Sequence, residues 1–277
     1  MKTNDVYTQL NITNTIYSRF VKRFLDVSIS FTAILVLSVF LIIFYILTFL
    51  FLGRPVIYKQ ARPGKNHKIF NIYKFRSMSN KKDANGNLLP DEQRITRFGK
   101  FLRKTSIDEL PQLFNILKGD MSFVGPRPRL IKDMVFYEQD IYKFYEITPG
   151  LTGPTQTTGR NLNTWEQVFE KDISYMHNIT LKNDIAIFFK TFKAVFFSTG
   201  ETHSNAEENK TKVKEQEYYY ADYILRIGKI NKKQYDHGLK IAKEIAQNNL
   251  KIEYYPELHD EKLFEEMESK NENKTSA

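Results

Sequence analysis

Residues 27–52 read VSISFTAILVLSVFLIIFYILTFLFL, twenty-six positions from Val27 to Leu52 without one charged side chain. As a helix this run measures about 39 Å, more than the roughly 30 Å of a hydrocarbon core. A helix that is apolar on every side reads as a membrane element rather than as one face of a core. A secretory signal is excluded, because the run is too long and no small-residue cleavage site follows it.

The flanks decide how such a helix sits. Arg19, Lys22 and Arg23 precede it, and Arg54, Lys59, Arg62 and Lys65 follow just as closely. Basic flanks stay on the cytosolic side, so both ends are drawn to the same face of the membrane. One straight span cannot satisfy that pull, whereas a helix that enters and returns can. Ser38, near the middle, could bond a carbonyl freed at the bend, although no proline forces one there.

Outside the run the chain is polar and basic. Residues 1–18 read as a polar leader and 19–53 as the membrane-inserted segment. Of the net charge of +9, residues 1–200 carry 28 basic against 16 acidic side chains, and 201–277 carry 13 against 16. The basic part is thus the face for an anionic partner, and the acidic tail reads as a separate unit. There is no cysteine, which rules out disulfides, thiolate metal sites and a cysteine nucleophile, and which fits a reducing compartment. The five histidines show no metal-type spacing and read as surface residues.

Downstream of Gly53, Val56–Gln60 and Lys68–Arg76 are rich in β-branched and aromatic residues, with turn chemistry at Arg62-Pro63-Gly64-Lys65-Asn66. That predicts a hairpin, and its period of two puts Lys74 and Arg76 on one face. A polar loop (79–93) and a basic helix around Arg94–Lys104 lead to Thr105-Ser106-Ile107-Asp108-Glu109-Leu110-Pro111-Gln112. There Asp108 is a favourable N-cap, Pro111 falls in the first helical turn, and Gly119 offers the stop. At the positive end of a helix Asp108 should favour its ionised form. An anionic nucleophile ringed by Arg97, Lys100, Arg103, Lys104, Arg127 and Arg129 suits a phosphate-bearing substrate. The plainer reading is a capped surface helix with solvated charges, and the residues alone leave both open.

Residues 148–161 form a glycine- and proline-rich loop ending in Gly159-Arg160-Asn161, suited to close backbone approach to a ligand. Thr164–Tyr175, with Asp172, reads as a helix. Asp184–Phe197 follows as an amphipathic helix with Ile185, Phe188, Phe189, Phe192, Val195 and Phe196 on its apolar side. By default this is a core helix; a membrane-surface helix is the alternative. A polar linker then precedes two short helices and an acidic third in 201–277, an accessory tail with no chemistry of its own.

Six motifs in register now carry a resemblance. Lys22-Arg23-Phe24-Leu25-Asp26 comes first, then Tyr73-Lys74-Phe75-Arg76-Ser77-Met78, then Ser106–Gln112. Leu117–Pro128, Pro149-Gly150-Leu151-Thr152-Gly153 and Gly159-Arg160-Asn161 complete the set. Over about residues 19–198 the chain resembles the bacterial sugar transferases, the monotopic phosphoglycosyl transferases. The resemblance implies a membrane-anchored α+β enzyme: a re-entrant helix, a small hairpin packed among helices in a catalytic domain at 54–200, and the extra helical tail at 201–277. It implies transfer of a sugar 1-phosphate from a UDP-sugar to polyprenyl phosphate on the cytosolic face of the bacterial inner membrane, with release of UMP. That is the first membrane step of capsule, O-antigen, exopolysaccharide or glycoprotein assembly.

Carried over by position, Asp108 is the nucleophile and Glu109 assists it, the two together holding Mg²⁺. Lys74, Arg76, Arg103, Arg127, Arg160 and Asp172 match substrate-contacting positions. Membrane lipid is an implied partner and nucleic acid is not; downstream glycosyltransferases and a second copy of the chain are candidates. Two departures stand out. The family's Ser-Pro pair at the bend is Ser38-Val39 here, and its Gly-Trp-Ala-Gln loop is Gly153-Pro154-Thr155-Gln156. The rival function is a non-enzymatic membrane scaffold with a basic anion-binding face.

The charge pattern predicts that positions 2 and 65 are both cytosolic. Single cysteines placed there, in a chain that has none, should resist a membrane-impermeant thiol reagent added to intact cells. Labelling at position 2 from outside would replace the re-entrant arrangement with a spanning one.

Overall fold

The apolar run folds as two helices, because the chain leaves helical geometry at Leu37. In the computed structural model α1 (Lys22–Val36) and α2 (Ser38–Leu52) meet at a bend of 65° when the short π-helical lead-in from Tyr17 is counted with the first. Leu37 (φ −88°, ψ 4°) keeps its amide on the Ala33 carbonyl, and its own carbonyl accepts from the Leu41 amide. The backbone thus satisfies itself across the bend without help from a proline. No single helix among the described residues is long and apolar enough to cross a membrane, but the bent pair is by length and composition. Phe40, Ile42, Leu50 and Phe51 are each more than half exposed, an apolar surface with nothing in water to favour it.

The structure describes residues 15–142, 146–157, 164–197 and 219–275. The expected leader, the Arg160 segment and the polar linker after Gly200 lie wholly or mostly outside them. The chain divides into two compact units: Phe20–Gln60 with Asn71–Ser122, and Met1–Arg19 with Ala61–Phe70 and Phe123–Ala277.

The first unit holds α1, α2, the base of the hairpin and the turn at Asp108. The hairpin pairs β1 (Ile57–Pro63) with β2 (Ile69–Phe75), its turn one to two residues later than the sequence suggested, closed by the Gly64 amide on the Lys68 carbonyl. After the polar loop, α3 (Arg97–Lys104) starts at Thr96, whose hydroxyl accepts from the Gly99 amide at 3.0 Å. Gly99 has to be glycine, since a Cβ there would lie 1.8 Å from the Ser77 carbonyl oxygen. The close approach lets Val56, Phe75 and Leu102 bury together, with Phe98 and Ile107 packed on them. α4 (Gln112–Lys118) follows and ends at Gly119, whose left-handed φ of 101° suits glycine.

The second unit contains β3 (Ser122–Val124) from Phe123 on, paired with β4 (Gly150–Thr152), and the helices α5 (Trp165–His177) and α6 (Leu181–Phe197). Glycines of the expected ligand loop meet backbone instead: a Cβ on Gly150 would fall 2.1 Å from the Gly125 nitrogen, and one on Gly153 2.2 Å from the Gly125 oxygen. The amphipathic helix α6 is not a core helix on its apolar side. Ile185, Phe188, Phe189 and Phe192 are exposed, and Ile187 and Asp184 are what it buries, Asp184 accepting from the Tyr17 and Tyr175 hydroxyls at 2.7 Å each. The side chains of Val195 and Phe196 lie outside those described.

The tail comprises α7 (Tyr220–Arg226), α8 (Lys232–Asn248) and α9 (Glu261–Thr275). By packing it belongs to this second unit. Tyr220, Ala221, Ile224, Ile245, Ile252 and Leu258 are buried in one cluster with Tyr137, Phe169 and Met176. The Ile252 amide also bonds the His67 carbonyl at 3.2 Å, and the Tyr142 hydroxyl bonds the Ile252 carbonyl at 2.8 Å. His67 is correspondingly a buried residue and not a surface one. It stacks on Tyr142 at 3.9 Å, and burial, with the Lys251 charge, pushes its pKa down to about 4.

A shared core makes a test. Ile252→Ala should cost about 2–4 kcal/mol and lower the unfolding transition seen by Trp165, the one tryptophan, which packs on the same cluster. A Trp165 transition that stays in place would make the tail an independent folding unit.

Candidate active site

Asp108 and Glu109 do not cap a helix directly. They occupy a 3₁₀ turn (Ile107–Glu109), and α4 begins after Pro111, which takes the capping position in helical geometry. The turn is entered through Ser106 in the left-handed region (φ 57°), where a residue with a Cβ carries local strain of the kind found at functional turns. The Glu109 amide bonds the Ser106 carbonyl at 3.1 Å, and the Leu110 amide bonds that of Ile107 at 3.1 Å. Ser106 thus redirects the chain so that Asp108 turns inward, to 7% exposure, while Glu109 stays partly open.

Burial reverses the expectation that Asp108 is easily ionised. Desolvation raises its pKa most, the neighbouring Glu109 charge raises it further, and Lys74 and Arg103 pull it back down. Lys74, on β2, holds Glu109 directly with Nζ 2.7 Å from Oε1, at about one fifth exposure on both sides. Arg103, near the end of α3, donates from Nε to the Ser77 hydroxyl at 2.8 Å, which fixes its position beside the turn. Gln112, one helical turn beyond Asp108, is buried with no hydrogen-bond partner for its amide nitrogen. A buried donor left open is costly unless a ligand accepts from it.

Of the expected site residues, Asp108, Glu109, Lys74 and Arg103 therefore come together in the first unit. Arg76 does something else there: Nη1 and Nη2 donate to the carbonyls of Arg54 and Gly53, each at 2.9 Å. Arg127 stands in the turn after β3 of the second unit, partly buried, and Asp172 lies on α5 of that unit at 3% exposure. Arg160 lies outside the described residues. Sequence reasoning passed over Asn115, which is completely buried in α4. Its side chain accepts from the Tyr73 amide at 3.0 Å and donates to the Asn71 carbonyl at 2.7 Å, pinning β2 to α4. A lone amide within Leu113-Phe114-Asn115-Ile116-Leu117 was the available signal.

Among the described residues no three acidic or histidine side chains cluster as a ready metal cage. Two adjacent carboxylates nevertheless suit Mg²⁺, which takes one or two protein carboxylates and fills its shell with water and substrate phosphate oxygens. The mutual repulsion of Asp108 and Glu109 is what a divalent cation would relieve.

A family profile described as "Bacterial sugar transferase" matches residues 17–198. The chain is similar to an uncharacterized sugar transferase, EpsL, of Bacillus subtilis strain 168, at 42% identity over 66% of this chain and 91% of that protein. It is similar to an undecaprenyl-phosphate galactose phosphotransferase of Salmonella typhimurium, at 41% identity over 66% of this chain and 42% of the relative. It is also similar to a UDP-N-acetylgalactosamine-undecaprenyl-phosphate N-acetylgalactosaminephosphotransferase of Aeromonas hydrophila, at 36% identity over 65% of this chain and 45% of the relative. The chain thus spans nine tenths of the Bacillus protein but less than half of the other two.

Asp172 offers a pH test separate from activity. Burial pushes its pKa up to about 7, against a weaker downward pull from Arg129, and its Oδ1 has no partner. The folded state then holds a proton that the unfolded chain releases near pH 4, so stability should fall as pH rises from about 4 to about 7. Asp172→Asn should flatten that decline, worth up to about 4 kcal/mol before relaxation, in denaturant titrations across the range. An unchanged slope would show that Asp172 is ionised in the folded protein.

Proposed function

The chain belongs to the bacterial sugar transferase family, and from that premise we propose that it moves a sugar 1-phosphate from a UDP-sugar to a polyprenyl (undecaprenyl) phosphate, releasing UMP. The observation that carries the proposal is the Asp108–Glu109 turn, one carboxylate buried and the other held by Lys74 at 2.7 Å. A basic scaffold would leave its cations open to solvent. Here Lys74 is turned onto a carboxylate, and Arg103 is held by Ser77 where its charge reaches Asp108.

The chemistry runs in two displacements at one phosphorus. An Asp108 oxygen attacks the phosphorus that bears the sugar; the bond to UMP breaks and UMP leaves with the electron pair. A phosphate oxygen of the polyprenyl acceptor then attacks the same phosphorus, and the bond to Asp108 breaks to restore the carboxylate. Burial would make the Asp108 anion poorly solvated and hence reactive, while Lys74 and Arg103 pull its pKa back toward the ionised form. Glu109, fixed by Lys74, holds the pair in register, and the unsatisfied Gln112 amide nitrogen would serve as a donor to a phosphate oxygen. Asp108 and Glu109 would hold Mg²⁺, which when bound neutralises charge on the diphosphate.

The site would work at the cytosolic face of the bacterial plasma membrane. The bent pair α1–α2 dips into the bilayer from that face and returns. The exposed Ile185, Phe188, Phe189 and Phe192 of α6, with Lys190 and Lys193, lie in the headgroup region. The product would pass to further glycosyltransferases in polysaccharide assembly.

Enzyme and UDP-sugar alone should release at most one equivalent of UMP and add the mass of a phospho-sugar to the peptide containing Asp108. Asp108→Asn should abolish both signals, and Glu109→Gln should slow turnover about 10- to 100-fold while leaving the adduct. Quenched reactions analysed by mass decide the matter. An active enzyme with no adduct, whose UMP release strictly requires the lipid, would leave Asp108 as a binding group in a direct displacement.

A further inference from the structure

Two buried or half-buried guanidinium groups in the first unit are spent on backbone carbonyls. Arg76 is 6% exposed, and burial lowers its pKa from the usual arginine value. Its two terminal nitrogens donate to Gly53 and Arg54, the first residues past the end of α2. Its own amide bonds the Val56 carbonyl at 2.9 Å, so the strand exit is fastened to the same segment by backbone and side chain together. Arg23, in the first turn of α1, donates from Nη1 to the Ile116 carbonyl at 2.6 Å and from Nη2 to the Leu117 carbonyl at 2.8 Å. Those carbonyls form the last turn of α4. Beyond them Gly119 leaves the room required, since a Cβ there would come within 3.2 Å of the Arg23 guanidinium.

A cation at a helix C-terminus meets the partial negative charge of unpaired carbonyls, and a planar fork can satisfy two of them at once. Arg23 therefore acts as a side-chain cap of α4, and Arg76 bridges the two carbonyls just past α2. Taken in order, the ties close a ring. α1 is held to α4 by Arg23, α4 to β2 by Asn115, β2 to the end of α2 by Arg76, and α2 to α1 by the bend at Leu37. Asp26 adds a second tie from α1, accepting from the Ser122 hydroxyl at 3.1 Å. The carboxylate turn sits on this ring: Asp108 and Glu109 lead into α4, and β2 supplies Lys74 two residues before Arg76.

We infer that Arg23 and Arg76 are positioning residues that lock the bent apolar pair to the elements carrying Asp108, Glu109 and Lys74. The protein, and not the bilayer, then sets how far the nucleophile stands from the bend. Only the activity readout below rests on the proposed transfer reaction; the distance readout does not.

The test uses the full chain in bilayer nanodiscs of phosphatidylethanolamine and phosphatidylglycerol. Spin labels are attached to cysteines introduced at Phe40 on α2 and Phe101 on α3, both exposed in a cysteine-free background. The parent should give one narrow distance distribution. Arg23→Ala and Arg76→Ala should broaden it, while Glu109→Gln, which leaves the ring intact, should keep it narrow. Arg23→Lys and Arg76→Lys keep the charge without the two-pronged donor and should broaden it partly; they decide the matter if an alanine variant does not fold. In activity, Arg23→Ala should keep acceptor-free UMP release and the KM for UDP-sugar within about twofold, yet slow transfer to the lipid tenfold or more. Narrow distributions in both alanine variants would overturn the inference. So would a narrow distribution in Arg76→Ala with a tenfold higher KM for UDP-sugar, because Arg76 would then be a substrate contact. A parent enzyme that releases no UMP at all would sink the transfer reaction while the distances still judged the ring.

Discussion

Two carboxylates on consecutive residues, one of them turned inward, repel each other and resist losing their water. Everything around the Asp108–Glu109 turn answers that constraint. Lys74 neutralises Glu109 from the strand side, and Arg103 contributes charge from the helix side, held there by Ser77. The cations reach the turn because β2 and α3 are pressed together where Gly99 lies on the Ser77 backbone. A side chain at position 99 would part those elements, and the carboxylates would lose a source of charge. The arrangement is a balance: burial and the adjacent Glu109 charge push the Asp108 pKa up, and Lys74 and Arg103 pull it back down.

A second physical theme is the use of guanidinium groups as caps. The last carbonyls of a helix have no partner within it. Arg23 meets those of α4, while Arg76 bridges the carbonyls of Gly53 and Arg54 just past α2. An ammonium could neutralise such an end but could not bridge two carbonyls in one plane.

In the second unit the tail changes the meaning of the core. Tyr137, Phe169 and Met176 are covered in part by Tyr220, Ala221 and Ile252, so a segment beyond the family match completes the packing of residues within it. Meanwhile α6 spends its polar Asp184 inward, on two tyrosine hydroxyls, and leaves its aromatic side outward.

The uncharged apolar run, the hairpin, the basic helix and the Asp-Glu pair ahead of Pro111 are legible in the sequence alone. Each is announced locally: an uncharged run with basic flanks on both sides, alternating β-branched strands around a Pro-Gly turn, and Asp-Glu ahead of a proline. Boundaries followed to within a few residues for the same reason. Only the tertiary structure decided which cations serve the carboxylates. Lys74 and Arg76 look equivalent on one strand face, yet one holds Glu109 and the other two carbonyls, because α2 ends beside Arg76 and the Asp108 turn lies beside Lys74. The acidic charge of the tail suggested separation, but charge describes its surface, and the apolar residues of α7 and α8 that join the core are spaced across helices not yet in contact in a linear chain. The protonation tendency of Asp108 was misjudged likewise: a helix start favours the anion, but the depth of burial that opposes it is a property of the folded chain alone.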